Sequence, residues 1–280
     1  MQTSPEQITF HDGRGAPAIG LGVWQVSDAQ ASEVVQQAIR TGYRSIDTAA
    51  IYDNEAGVGQ GIAASGLDRS KLFLATKLWN DSHGHDEARA AFQESLERLG
   101  QDYVDLYLIH WPMPSVDRYV QSWETLIQLR DEGGAKSIGV CNFQPAHLQR
   151  LLDETGVIPV VNQIELHPYF QQSELRAFHA EHGIVTEAWS PLGQGSTLED
   201  PVLAGLAQKH DRSVAQIVLR WHLQLGNMVI PKTVTPARME ENLAVGDFVL
   251  DEDDMARIAA LDRADGRIGP DPDRFSRTKI

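Results

Sequence analysis

Val104-Asp105-Leu106-Tyr107-Leu108-Ile109-His110 is a short, mostly apolar run that stops on an imidazole. Six other runs in the chain have the same form. Tyr43–Ile46 runs into Asp47, Leu72–Thr76 into Lys77, and Ser137–Val140 leads to Asn142. Val160–Asn162 leads to Gln163, Ile184–Ala188 to Trp189, and Met228–Pro231 to Lys232. One such ending would be an accident of the surface. Seven suggest parallel strands that deliver polar and aromatic side chains to one common face, the layout of a (β/α)8 barrel enzyme.

The segments between these runs carry helical spacing. Helices are expected from Ser27 or Asp28 to Thr41, and over 54–65, 86–99, 117–132, 145–154, 172–182, 213–225 and 236–245. Several stop at glycine: Gly133-Gly134, Gly156, Gly183 and Gly226. Alternation of strand and helix implies a parallel sheet. Strands apolar throughout are buried on both faces. Ahead of the barrel, Ile8–Gly15 reads as a hairpin turning at Asp12-Gly13, and Ala18–Gly22 as a first barrel strand. Two further helices, over 201–210 and 252–261, lie outside the repeat. The fold class is therefore α/β, a (β/α)8 TIM barrel with an N-terminal β-hairpin and two extra helices. No linker divides the chain, so residues 1–280 are expected to form a single domain.

A doubly wound open sheet would want a glycine-rich phosphate turn after its first strand. Gly57-Val58-Gly59-Gln60-Gly61 comes near that pattern, but sits in a helical stretch and lacks the final spacing. A dinucleotide, if bound, must be held by another device.

Composition bounds the function. With 280 residues and a net charge of −15, the chain repels phosphate backbones and anionic lipid surfaces, so neither nucleic acid nor membrane is an expected partner. The single cysteine, Cys141, excludes an intrachain disulfide. Met1–Phe10 has no apolar signal-peptide core, and no run is long enough to span a bilayer. A cytoplasmic, monomeric enzyme acting on a small molecule is the expectation. No metal site is expected: His83-Gly84-His85 lies in a loop with no third ligand in view. His179 and His182 share a helix face and are expected to be solvated. Asn80-Asp81-Ser82 matches a glycosylation sequon and reads as a loop.

Asp47, Lys77 and His110 end three consecutive strands, whose ends lie about 5 Å apart in a parallel sheet. Tyr52 follows in the loop after Asp47. A lysine cation beside a tyrosine favours phenolate and can lower its pKa by roughly 1–3 units. Asp47 would keep Lys77 charged and oriented. The result is a proton donor usable near neutral pH. The same spacing also fits a buried ion pair with a tyrosine packed over it, and spacing alone leaves both open.

Asp47-Thr48-Ala49-Ala50-Ile51-Tyr52-Asp53-Asn54-Glu55 strongly resembles the signature of the aldo-keto reductases. So do Lys77-Leu78-Trp79, Leu106–Pro112, Gly139-Val140-Cys141-Asn142-Phe143 and Ile230-Pro231-Lys232-Thr233, in the family's order. Within the family the chain is most similar to bacterial 2,5-diketo-D-gluconate reductase types, as the short tail and Trp189 suggest.

That resemblance implies NADPH-dependent reduction of a carbonyl, with aldehydes, α-dicarbonyls and keto-sugars as substrates. Tyr52 would be the general acid, Lys77 and Asp47 its tuning pair, and His110 the group that orients the carbonyl oxygen. It also implies that Asn142 and Gln163 bind the nicotinamide carboxamide and that Trp189 stacks on the ring. Ser190-Pro191-Leu192-Gly193 would pass over the pyrophosphate, Ser190 and Leu192 included. Lys232, Thr233 and Arg238 would hold the adenosine 2′-phosphate, and Glu241 and Asn242 the adenine. Trp24, Trp79 and Trp111 match positions lining the substrate pocket.

Two positions depart from the family pattern. Cys141 stands where serine is usual, and a thiol is the weaker donor. Thr235-Pro236 stands where relatives often place arginine or asparagine, which softens the expected preference for NADPH over NADH. Two rival functions also remain at this point. One is a barrel lyase forming a Schiff base on Lys77, which the Asp47–Lys77 pairing opposes by keeping the amine charged. The other is a non-catalytic, NADPH-binding regulatory subunit.

Overall fold

Parity along each strand decides what the barrel interior receives. In Phe73–Leu78 (β5), Leu74 and Leu78 face outward into the helical layer, whereas Phe73, Ala75 and therefore Lys77 face inward. In Val104–Ile109 (β6), Tyr107 and Ile109 face outward and Leu106 and Leu108 inward, so His110 continues the inward row. The computed structural model describes residues 7–278. Its other barrel strands are Leu21–Gly22 (β3), Ser45–Asp47 (β4), Ala135–Cys141 (β7), Val161–Glu165 (β8), Val185–Trp189 (β9) and Met228–Val229 (β10).

The eight barrel strands pair in chain order and in parallel, β3 beside β4 through to β9 beside β10. The ring closes between its first and last members by parallel bridges, Ile19 with Val229 and Gly22 with Lys232. Gly20 donates to the Val229 carbonyl at 2.8 Å and Val229 to the Ala18 carbonyl at 2.9 Å. The expected hairpin is present as Gln7–Thr9 (β1) against Gly15–Pro17 (β2). Phe10 and Ala16 of the hairpin join Ala75, Leu106, Leu108 and Val161 in one buried cluster, so the hairpin closes the lower end of the barrel. The Ser137 hydroxyl ties Asp12 of the turn to β7 at 2.6 Å.

The helices follow the expected order: Asp28–Thr41 (α1), Glu55–Ser65 (α2), Asp86–Leu99 (α3), Tyr119–Asp131 (α4), Pro145–Thr155 (α5) and Ser173–His182 (α6). Pro201–His210 (α7) and Glu252–Ala259 (α10) are the two additions, and they pack on each other. Val214–Gln224 (α8) and Pro236–Leu243 (α9) complete the repeat. The near-match to a phosphate loop lies within α2 and serves packing. A Cβ on Gly57 would lie 2.2 Å from the Asp28 carbonyl oxygen, and one on Gly59 2.1 Å from that of Leu99. These glycines let α2 approach α1 and α3 closely.

Two local expectations are corrected. His179 is buried rather than solvated, held between Asn162 at 2.9 Å and the Thr186 hydroxyl at 2.8 Å. The sequon is a 3-10 turn, Asn80–Ser82, whose Asn80 is buried. Among the described residues no helix is long and apolar enough to cross a membrane.

Candidate active site

The upper end of the barrel is built around one buried cation. Lys77 Nζ lies 2.5 Å from Asp47 Oδ1 and donates to the Thr48 carbonyl at 2.8 Å. Neither side chain meets solvent appreciably, with Lys77 at 0% and Asp47 at 2% exposure. Burial, the largest single influence, would discharge the amine, but Asp47, with Tyr52 and Cys141 adding to it, holds the lysine pKa above its ordinary value. Lys77 is therefore a fixed positive charge.

Tyr52 stands at the end of a 3-10 turn, Ala50–Tyr52, with the Lys77 ammonium 5.1 Å from its ring centre. The turn is locked by residues around it. Thr48 bonds the Asn54 side chain at 2.7 Å, and Asn54 bonds the Val23 and Val26 carbonyls at 2.9 Å each. The expected lowering of the Tyr52 pKa is reversed. Burial, the largest influence, raises it to about 12 against the opposing pull of Lys77. The phenol accordingly holds its proton across the neutral range.

His110 packs edge-on between Tyr52 and Trp79, with ring centres at 5.7 and 5.1 Å. Burial, with Lys77 adding to it, pushes its pKa well below the usual histidine value. A neutral imidazole beside a protonated phenol offers two hydrogen-bond donors to one oxygen. Asp47, Tyr52, Lys77 and His110 thus converge as their strand positions imply.

The amides lie next to this group. Asn142, just past β7, has φ of 63°, in the left-handed region. Its Nδ2 donates to the His110 carbonyl at 3.0 Å, and its Oδ1 accepts from Trp189 Nε1 at 2.8 Å. Trp189 is therefore anchored by its edge. Gln163 lies within β8 rather than at its end, and its Nε2 reaches Asp47 at 2.9 Å and Glu187 at 2.8 Å. Cys141 is fully buried, and burial pushes its thiol well above the usual range.

Beyond Trp189, Ser190 is half-buried with φ of 49°, and Leu192 packs on the main core. Lys232 and Arg238 are exposed, and neither has a carboxylate partner among the described residues. Thr233 is buried and accepts from the Thr235 backbone at 3.1 Å. Glu241 is half-buried and Asn242 buried on α9. Two free cations and a hydroxyl at the start of α9 fit a phosphate dianion. An anchored indole beside paired amides fits a flat carboxamide-bearing ring. These donors suit a nicotinamide dinucleotide.

Trp79 and Trp111 form a buried aromatic cluster with Met113. Trp24 does not join it and is 44% exposed. Trp189 packs against the cluster, and so does Phe275, 4.3 Å from Trp111 between ring centres. Phe275 arrives on the C-terminal tail, which crosses the barrel mouth. Glu165, at the inner end of β8, accepts the Ile268 and Gly269 backbone N–H groups at 2.5 and 2.7 Å. A Cβ on Gly269 would lie 2.5 Å from the Trp189 ring, so only glycine lets the tail pass there. Farther on, Asn80 donates to the Arg277 carbonyl at 2.7 Å and Trp79 to that of Thr278 at 2.9 Å.

Sequence inspection passed over Glu165, Glu187 and Phe275. Glu165 and Glu187 share inward parity with Gln163 and Trp189 on their own strands, and charged residues inside strands apolar on both faces were the available signal. Phe275 is the only aromatic residue after Asp262.

Comparison with known proteins finds close relatives over nearly the whole chain. The family model described as "Aldo/keto reductase family" matches residues 13–263. The methylglyoxal reductase DkgA of Escherichia coli strain K12 is 53% identical over 274 residues, covering 97% of this chain and 98% of that one. An aldo-keto reductase of Mycobacterium sp. strain JLS is 52% identical over 271 residues, covering 97% and 98%. The crystal structure of a Gox0644 variant in complex with NADPH superposes with a TM-score of 0.94 at 52% identity, covering 98% of this chain and 99% of that one.

Proposed function

The chain belongs to the aldo/keto reductase family, and from that premise we propose that it reduces small aldehydes and α-dicarbonyls with NADPH, Tyr52 serving as the general acid. It is an NADP-dependent oxidoreductase, as its relatives and the NADPH-bound neighbour support. Methylglyoxal, the substrate in the name of the Escherichia coli relative, fits an aromatic-walled pocket as a compact α-dicarbonyl. Keto-sugars such as 2,5-diketo-D-gluconate are the larger substrates in the same class.

One observation carries the mechanism: a buried, charge-fixed Lys77 sits between Asp47 and the Tyr52 ring. NADPH, when bound, supplies the hydride. Tyr52 and neutral His110 point donors at the carbonyl oxygen, polarising it. As negative charge develops there, Tyr52 hands over its proton, and Lys77 stabilises the phenolate left behind. Asp47 keeps Lys77 charged through the step. Asn142 and Gln163 orient the nicotinamide through its carboxamide, and Trp189 supports the ring. Lys232, Thr233 and Arg238 bind the 2′-phosphate. Trp79, Trp111 and Phe275 exclude water from the reacting carbonyl.

A Schiff base on Lys77 would require a neutral amine, and the 2.5 Å contact with Asp47 opposes that. A purely regulatory role has no need of a proton donor oriented by a buried ion pair. The test is Tyr52→Phe, assayed by NADPH oxidation over aldehydes, α-dicarbonyls and keto-sugars. It keeps NADPH affinity within about twofold and loses roughly 10²–10⁴ in turnover. Turnover near that of the wild type would reject Tyr52 as the acid.

A further inference from the structure

Glu187 is a buried acid that the chemistry above does not use. It lies on β9, directly across the parallel ladder from Gln163, and is 3% exposed. Its parity sends it into the barrel, below Trp189. There Gln163 Nε2 donates to Asp47 Oδ2 at 2.9 Å and to Glu187 Oε2 at 2.8 Å.

A side-chain amide has two N–H donors and one carbonyl oxygen. Here both donors are taken by carboxylates. The flipped amide would aim its carbonyl oxygen at two anionic groups, so the orientation is forced. Oε1 must then point away from both acids, and among the described residues nothing donates to it. Asp47 alone would leave the amide free to swing about a single hydrogen bond. The second carboxylate makes the orientation unique.

Keeping an acid in this position is costly. Burial, reinforced by the neighbouring Asp47 charge, pushes the Glu187 pKa up to about 7, and the Gln163 and Lys77 contacts only partly offset it. A valine or leucine would fill the same space without that penalty.

We propose that Glu187 is a positioning residue for the reduction: by accepting the second N–H of Gln163, it locks that amide with Oε1 facing the carboxamide N–H of nicotinamide. The proposal rests on Gln163 being a nicotinamide contact. Through Gln163 it also links the cofactor seat to Asp47 and Lys77, so ring placement and the proton donor's environment are set by one connected network.

The test compares two ligands by calorimetry. NADPH carries the nicotinamide; 2′,5′-ADP carries only the adenosine half. Glu187→Ala weakens NADPH about tenfold while 2′,5′-ADP stays within about twofold. Glu187→Gln, whose carbonyl oxygen still accepts from Gln163, returns NADPH affinity to within about threefold of the wild type. Equal weakening of both ligands in Glu187→Ala, or no weakening of either, overturns the proposal. So does a Glu187→Gln variant as weak as Glu187→Ala. Wild-type protein that binds NADPH no more tightly than 2′,5′-ADP would instead reject the nicotinamide seat itself.

Discussion

Lys77 and Asp47 meet at 2.5 Å in a place that solvent barely reaches. Breaking one side of such a pair leaves an uncompensated charge, a loss of about 3–5 kcal/mol. Lys77→Met should therefore lower the unfolding free energy by about that amount in equilibrium urea denaturation. Adding Asp47→Asn removes the stranded charge and keeps an amide that can still bond Gln163, so the double variant should recover most of the loss. A double variant as unstable as Lys77→Met would mean that packing around the lysine, rather than charge pairing, holds this region together.

The proton on Tyr52 is the second quantity open to measurement. Burial raises the phenol to about 12, and its folded-state proton is kept through the neutral and mildly basic range. An ultraviolet difference titration of wild type against Tyr52→Phe should show no phenolate step below about pH 10. A step with a midpoint near pH 8, absent from the variant, would show that Lys77 outweighs burial after all.

Much of this barrel was legible because period-two parity and strand endings are local. Lys77 and His110 could be placed on one face from their own strands, and so could Asn142 and Trp189. The pKa of Tyr52 could not, because it depends on how much of the chain covers the ring, and no spacing reports that. Glu187 and Glu165 were within reach of parity, two residues from Trp189 and Gln163, but a charge inside an apolar run draws less notice than one at its end. The Gly269 passage and the Phe275 contact join segments 80 to 164 residues apart in sequence. Trp24 matched a pocket position by resemblance, yet its turn leaves it exposed and apart from the Trp79 cluster.

Glu187 also makes a prediction about stability, with a definite sign. Its pKa rises from 4.5 unfolded to about 7 folded. The folded state thus binds more protons between those values, so stability is complete below about pH 4.5 and falls as pH rises through 7. Glu187→Gln removes the titration and keeps the acceptor. It should raise the melting temperature at pH 8 by roughly 5 °C, on the order of 2 kcal/mol, and change it little at pH 5. Equal melting temperatures at pH 8 would mean that the acid bears no penalty in the fold. Unimpaired NADPH binding in Glu187→Ala, which has no acceptor for Gln163, would leave the residue without a purpose in the cofactor seat.

The C-terminal tail should control substrate affinity separately from cofactor affinity. Phe275 packs at a tilt against Trp111 at 4.3 Å and edge-to-face with Trp79 at 6.4 Å, and Trp79 in turn holds the tail through the Thr278 carbonyl. Trp189, proposed to support the nicotinamide ring, packs on the same cluster but is anchored separately, by Asn142 at 2.8 Å. Burying a phenylalanine side chain is worth about 1.5–3 kcal/mol, so Phe275→Ala should lower kcat/KM for small aldehydes by roughly tenfold or more, chiefly through KM. NADPH affinity should stay within about twofold. Trp79→Phe keeps the aromatic wall but loses the indole N–H, and so should show a smaller effect in the same direction. The measurement is steady-state kinetics on methylglyoxal and a monoaldehyde, with NADPH binding determined calorimetrically on the same preparations. A Phe275→Ala variant that loses NADPH and substrate affinity together would show that the tail supports the whole barrel mouth through Glu165 and Gly269, not one wall of the pocket.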